Sequence, residues 1–489
     1  MRKFWIVLLS IGLIMAFTMP VSAADVKFSG SYIAQGYYEN NRSLVQATDG
    51  TNLGPSVSDI WQRLRLQTDF QIAEGLKLTT RFDAMEKIWG AARSATVAVT
   101  DSNGNNDEAE NIKFEHAYVT FDVPFGTFKV GYQAQTAFGT DFGNSSDSTY
   151  GPRIAYSIVT GPWTFGVIYD KYEGKKAYSA GGPVPFTAIS ISATGVPTVT
   201  PNAAAQVDSD KEKISPYFIY KWATGEAGLL LQYRLDSTTS GPTASTSYDN
   251  GYKGMWYIVD PYYKAKFGPV YSEGEFFFKT GKDRKYESPA AGVNDIDNTG
   301  YALYLMASVD LAPAYVGAAI VWISGTDTTK TDKNTAFADG GGTDFNPCLI
   351  LYNYDLARWN GPLGGLAGAG GLGTSTVTYA LPGQPGTFTF TPGVRAGQIF
   401  AGVKPIPKLD IKAVFTLAKA DQTPTGVDSD AGKEVDLTAT YKIYDNLSYM
   451  VGFGYLWTGD LFKLGGPGAG GFAKVDNDYL VTHKLTLTF

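Results

Sequence analysis

The chain has 489 residues, 14% of them aromatic, with 56 Gly, 31 Tyr, 2 His and one Cys, and a net charge of −7. The acidic balance argues against nucleic acid as a partner and favours small cations and bridging divalent ions. The lone Cys348 excludes an internal disulfide framework and reads as an unpaired thiol.

The first segment reads as a secretory signal peptide over residues 1–23: Arg2 and Lys3 are its charged start, Phe4 to Phe17 its apolar core, and Val21-Ser22-Ala23 its small-residue cleavage site. Its removal leaves residues 24–489 as the mature chain and takes the net charge to −9. Beyond it no run of about 20 residues is free of charges and Gly/Pro breaks, which excludes a helical membrane protein.

From Val26 onward one unit recurs: about ten residues of alternating apolar and polar character, a very short turn, another such run, then a longer polar loop. The pattern predicts an all-β fold, a transmembrane antiparallel β-barrel, with short turns at the periplasmic end and long loops outside. The clearest hairpin runs from Ile60 to Glu86. A turn centred on Glu74 pairs Ile72 with Leu76, Phe70 with Leu78, Thr68 with Thr80 and Leu66 with Phe82, and leaves Gly75 for the φ > 0 position of a three-residue loop. One register puts all the apolar side chains on one face, so the other carries Arg63, Arg65, Arg81 and Asp83, with Arg65 opposite Asp83.

Further tight turns are predicted at Val123-Pro124-Phe125-Gly126, Thr160-Gly161-Pro162, Trp222 to Glu226, Gly268-Pro269, Leu311-Ala312-Pro313, Pro405 to Lys408 and Tyr444-Asp445-Asn446. Eight hairpins with an opening strand (Val26 to Glu39) and a closing strand (Tyr479 to Phe489) give about 18 strands, within a range of roughly 16 to 20, and a barrel of that size encloses an aqueous channel. The long segment from Gly325 to about Gly393 contains the apolar pieces Cys348 to Leu356 and Thr387 to Phe390. It is expected to form an extracellular flap, the alternative being an extra hairpin in the wall. Aromatic residues near turns, among them Trp163, Phe165, Phe267, Tyr441 and Tyr449, and Tyr455 and Trp457 at an outer end, predict two interfacial girdles.

The closing strand places Tyr479, Val481, His483, Leu485, Leu487 and Phe489 on one face and ends on that Phe. A terminal Phe489 after alternating apolar residues resembles the assembly signal of Gram-negative outer-membrane barrels. The stretch from Ala117 to Gln133 is similar to a hairpin of the general porin superfamily, although Tyr132 stands where those porins carry an arginine. The mature chain as a whole resembles that superfamily, with an affinity to the porins of metal-reducing deltaproteobacteria. The resemblance implies residence in the outer membrane of a Gram-negative bacterium and contact with outer-membrane lipid and lipopolysaccharide. It also implies insertion by the barrel-assembly machinery, a homotrimer, no cofactor, and passive diffusion of small hydrophilic solutes and ions. By position, Thr136 to Tyr150 resembles a porin constriction loop, so Asp141 and Asp147 are expected to face Arg63, Arg65 and Arg81 across the lumen, the transverse arrangement by which charges set selectivity. The alternatives are a cross-strand ion pair that serves only the wall and an outward loop with hydrated aspartates.

An enzyme is not expected, because His116 and His483 are the only imidazoles: His483 falls on the lipid-facing side of the last strand, and His116 sits beside Glu115 with no candidate nucleophile near it. The segment Asp101 to Asp107 has the outline of a calcium loop, but Asn106 and Ile112 occupy the places of its Gly and bidentate Glu. Two other functions stay open: a substrate-selective channel, and a structural barrel that sheaths an electron-transfer partner or displays adhesive loops.

Overall fold

The computed structural model describes residues 25–41, 44, 56–90, 99–100, 106–107, 112–135, 137–144, 150–173, 186–191, 197–201, 210–237, 252–286, 294–337, 344–353, 377–379, 388–464 and 475–489. Residues 1–24, which hold the expected signal peptide, lie outside them, as does most of the Asp101 to Asp107 loop.

The wall consists of β1 (Asp25–Glu39), β2 (Val57–Ala73), β3 (Leu76–Ile88), β4 (Ile112–Val123), β5 (Gly126–Ala134), β6 (Tyr150–Thr160), β7 (Trp163–Glu173), β8 (Lys211–Trp222) and β9 (Gly225–Asp236). It continues through β10 (Tyr252–Phe267), β11 (Val270–Tyr286), β12 (Ile296–Leu311), β13 (Ala314–Ile323), β14 (Val394–Ile406), β15 (Leu409–Lys419), β16 (Asp430–Tyr444), β17 (Leu447–Thr458) and β18 (Asp478–Thr488). Each pairs antiparallel with its neighbours in sequence, and β18 pairs with β1, which closes an 18-strand barrel with no free edge. The pair Lys333–Asn334 adds a short parallel bridge to β12. All eight predicted tight turns are present as two-residue connections, for instance Thr160 opposite Trp163 and Tyr444 opposite Leu447.

In the first hairpin Leu66 lies opposite Phe82, Thr68 opposite Thr80 and Phe70 opposite Leu78, as the alternation predicts. The expected pairing of Ile72 with Leu76 does not form: Ala73 takes the place opposite Leu76, and the register shifts between Gln71 and Ala73. The turn is thus Glu74-Gly75 with Ile72 as a bulge, and Gly75 sits at φ 69. A bulge adds the local twist that a hairpin needs at its tight end.

The two faces of the wall have opposite character. On β11, Phe276 and Phe278 are exposed on the outside while Glu275 and Lys279 are buried within, and on β18, Val481 is exposed while Leu480 and Thr482 are buried. Apolar outside and polar inside inverts a soluble protein and suits a lipid surround. Trp163, Phe165, Phe267, Tyr441, Tyr449 and Trp457 are all exposed, as interfacial girdles require. Among the described residues no helix is long and apolar enough to cross a membrane.

Phe489 completes the seam: its amide donates to the Gly30 carbonyl at 3.1 Å, and its own carbonyl accepts from the Gly30 amide at 2.9 Å. Two such bonds contribute about 1–3 kcal/mol. Deleting Phe489 is expected to cut the cellular yield of heat-modifiable barrel several-fold, more than that small term explains, whereas a loop-tip substitution leaves it unchanged. Equal yields from wild type and deletion would make the residue an anchor without a recognition role.

Among the described residues, the segment after β13 adds only the short Lys333–Asn334 bridge to the wall. Val377–Tyr379 and Phe388–Phe390 pair with each other in a separate two-stranded sheet. Phe345 to Asn353 does not lie outside as a flap but folds into the lumen. Cys348, Ile350, Leu351 and Tyr352 are buried there among inward side chains such as Leu456 and Leu480. Burial of Ile350 and Leu351 alone favours this position by about 1.5–3 kcal/mol each, which an outward flap in water forgoes.

Candidate functional site: the barrel lumen

Two inward loops narrow the lumen. The first, within the predicted Thr136 to Tyr150 segment, crosses to β11, where one carboxylate oxygen of Glu275 accepts from the amides of Thr140 at 3.0 Å and Gly143 at 3.2 Å and from the Thr140 hydroxyl. Gly139 makes the approach possible: its φ is 82, and a Cβ at that position would strike the Glu275 carboxylate. The second loop, Phe345 to Asn353, is held by β16. Glu434 accepts from the amides of Ile350 and Leu351, both at 2.7 Å, and Asp436 accepts from Leu349 at 3.3 Å. Gly454 supplies the room, since a Cβ there would lie 3.2 Å from that of Leu349. The loops meet: Phe345 packs edge-on against Phe142 and Tyr304, and the Asp344 amide donates to the Asn144 carbonyl at 3.2 Å.

The arginines named from the sequence sit together on the inner wall of β2 and β3, inside a network rather than as bare charge. Arg65 grips Asp83 with two bonds of 2.7 and 2.8 Å and reaches Glu115 at 2.9 Å. Arg81 donates to the same Glu115 oxygen at 3.1 Å and to the Tyr150 hydroxyl at 2.6 Å, and Arg63 lies 3.8 Å from Asp83 and 4.0 Å from Glu86. The structure does not bring Asp141 to this patch. It is exposed on the first loop, which packs on β11 and β12 through Thr140 and Phe142. Asp147 lies outside the described residues.

Glu115, the hub of that network, was missed as a site residue. It occupies a bulge, with the register shifting between Arg81 and Phe82, so Glu115 and the adjacent His116 are both buried. The signal was in the sequence: outward Ile112 and Phe114 are followed by outward Ala117, a step of three where alternation demands two. Also missed was a second ion cluster, in which Arg153 grips Asp170 with bonds of 2.6 and 2.9 Å and Lys213 approaches the same carboxylate at 3.3 Å. Between this cluster and the first loop lies a cavity of about 80 Å³ lined by Gln135, Phe138, Arg153, Lys213, Arg234 and Asp260. Apolar side chains, among them Ile168, Leu230 and Ile258, share the lining with these polar groups, and the volume admits a few waters or a small polar group.

No protein-family model and no curated protein sequence matches the chain. Among solved structures it is similar to OccAB1 of Acinetobacter baumannii, with a TM-score of 0.51 and 10% identity over 96% of this chain and 99% of that one. The chain has the fold of OccAB1. It is also similar to OccK8 (OprE) of Pseudomonas aeruginosa, with a TM-score of 0.48 and 12% identity over 95% and 98% of the two chains. For an anion-selective porin from Comamonas acidovorans the values are 0.42 and 13%, over 95% and 100%. The identity to OccAB1 is low enough that the likeness is one of architecture alone, a closed barrel matched over 96% of this chain and 99% of that one.

Proposed function

We propose that this chain is a porin of the Gram-negative outer membrane, through which small hydrophilic solutes and ions diffuse passively. The observation that carries the reading is the closed 18-strand barrel with an apolar exterior, a charged interior, and two loops folded into it. A wall of that size encloses a lumen wide enough for water, and inward loops reduce it to the width of small solutes. Export by a cleaved signal peptide, insertion by the barrel-assembly machinery and a homotrimeric state belong to the same proposal, as does the absence of enzymatic activity. Single-channel recording of the pure protein in planar bilayers tests it: discrete conductance steps are expected, and folded, inserted protein that passes no current would overturn it.

A solute-selective channel is the second reading, favoured by the cavity in which Arg153, Lys213 and Arg234 converge beside the first loop. Passage of a sheathed protein partner is disfavoured, because two loops, anchored on Glu275 and Glu434, occupy part of the interior that such a partner would need. Selectivity is expected to follow the lining charges. Replacing Arg63 and Arg81 should move the reversal potential in a salt gradient toward cations, and neutralising Asp141 with Asp147 should move it toward anions. Because the arginines are paired with Asp83, Glu86 and Glu115, their replacement exposes acidic groups and should give the larger shift. Unchanged reversal potentials in both variants would remove these residues from the ion path.

A further inference from the structure

Cys348 on the second inward loop and Glu434 and Asp436 on β16 come together where loop and wall meet. All three are buried, and one ligand atom from each lies within 4.8 Å of the others. Among the described residues this is the one group of three metal-capable side chains so arranged. Two features mark it as more than a pair of acids beside a thiol. Asp436, 3% exposed, has one oxygen, Oδ1, that is buried and meets no hydrogen-bond donor, although its other oxygen accepts from Leu349. Glu434 and Asp436 also stand side by side on the inner face of β16, each with a carboxylate oxygen within 4.8 Å of the other. Two carboxylates in such contact, taken out of water, either share a proton or hold a cation between them.

We propose that Cys348 Sγ, Glu434 and Asp436 bind one thiophilic divalent cation of the zinc and cadmium class, which bridges the inward loop to the barrel wall. On such an ion sulfur lies about 2.3 Å and carboxylate oxygen about 2.0–2.2 Å from the metal, so the donors stand roughly 3.3–3.7 Å apart, a short closure from the arrangement present. The surroundings have the form that a metal site requires outside its ligands. The amides of Leu349, Ile350 and Leu351 orient the two carboxylates, and Thr416 Oγ1 at 3.4 Å and Gln398 Nε2 at 3.6 Å flank the sulfur. A thiolate and two carboxylates carry three negative charges. The ion offsets two, and Lys412, whose charge acts on Asp436, stands by for the third.

The thiolate decides the class of ion, since calcium and magnesium prefer oxygen alone. A cysteine binds metal as the thiolate, so the Cys348 proton must leave when the ion enters. Uptake therefore exchanges the thiol proton, and any proton held between the carboxylates, for the ion, with the protons passing to solvent. Binding should weaken as pH falls.

The full chain, folded in detergent and stripped with a chelator, is titrated with cadmium alone while the thiolate-to-cadmium charge-transfer absorption in the ultraviolet is followed. One ion per chain is expected, displaced by zinc and not by calcium. Asp436→Asn should weaken binding at least about tenfold, because even groups that only support a ligand are worth about 10–100-fold in affinity. Cys348→Ser should keep the heat-modifiable fold and lose the absorption, with cadmium uptake by equilibrium dialysis falling in parallel. No absorption at stoichiometric cadmium would mean that the carboxylates share a proton and nothing more. Equal dialysis uptake by wild type and Cys348→Ser would place the ion elsewhere. Either result overturns the proposal, and neither depends on whether the barrel conducts.

Discussion

Asp170→Ala is expected to destabilise the barrel by about 3–5 kcal/mol, the cost of leaving buried charge without its partner. Asp170 is fully buried on the inner face of β7, between Arg153 of β6 and Lys213 of β8. It takes two bonds from Arg153 and lies 3.3 Å from Lys213 Nζ. Both cations also donate to the single carbonyl of Gln135 at the root of the first inward loop. With the carboxylate gone, two positive groups face each other across a strand, left with that carbonyl and, for Lys213, the ring of Tyr172. The lost energy should appear as a lower urea midpoint for the folded barrel and, in cells, as less heat-modifiable protein. Asp170→Asn keeps the shape and part of the hydrogen bonding, so it should fall between wild type and the alanine variant. A midpoint for Asp170→Ala within error of wild type would show that water in the lumen already solvates Arg153 and Lys213.

Glu434→Ala is expected to free the second inward loop and raise single-channel conductance toward that of a variant with residues 345–353 deleted. The two amide bonds to Glu434 end on a charged acceptor and contribute about 1.5–3 kcal/mol each, so their loss reduces the docked population by roughly a hundredfold or more. Among what remains are the longer Leu349 to Asp436 bond, the Gln398 bond to the Pro347 carbonyl, the packing of Phe345 and the burial of Ile350 and Leu351. The recordings need a chelator, so that loop anchoring by the carboxylate is read apart from anchoring by an ion. Glu434→Gln retains one acceptor but turns an amide N–H toward a backbone N–H, so an intermediate conductance is expected. If the alanine, glutamine and deletion variants all conduct as wild type does, this loop does not limit flow.

The wall was legible because its rule is local. Alternation with period two, interrupted by short turns, names the strands and their faces, and the pairing of Leu66 with Phe82 and Phe70 with Leu78 follows from keeping one face apolar. The departures are bulges. Ile72 and Glu115 each insert one residue, a further shift falls between Gln62 and Leu64, and of these only Glu115 leaves a trace in the pattern, as the three-residue step from Phe114 to Ala117. At the turn, Ala73 and Ile72 are both apolar enough that the pattern cannot choose between them.

The lumen was legible only where its partners share a hairpin. Arg65 and Asp83 face each other on adjacent strands, so their ion pair follows from register. The contacts of Glu275 with Thr140, and of Glu434 with Ile350 and Leu351, join residues more than 80 positions apart. Nothing periodic links them.

By itself the amino-acid sequence determined an antiparallel β-wall of about 18 strands with an apolar outer face, eight tight turns, and an arginine patch on β2 and β3. Those features depend on which side of a strand a residue occupies, and parity settles that. The tertiary structure alone decided that the Gly325 to Gly393 segment sends Phe345 to Asn353 inward, that Asp141 stays exposed on the first loop, and that Glu115 and Asp170 are the hubs of the buried charge. Each of these choices weighs a loop's solvation against acceptors and apolar surface that exist only after the barrel has closed. The deciding partner is then fixed by circumference and strand stagger, not by any neighbour in the chain.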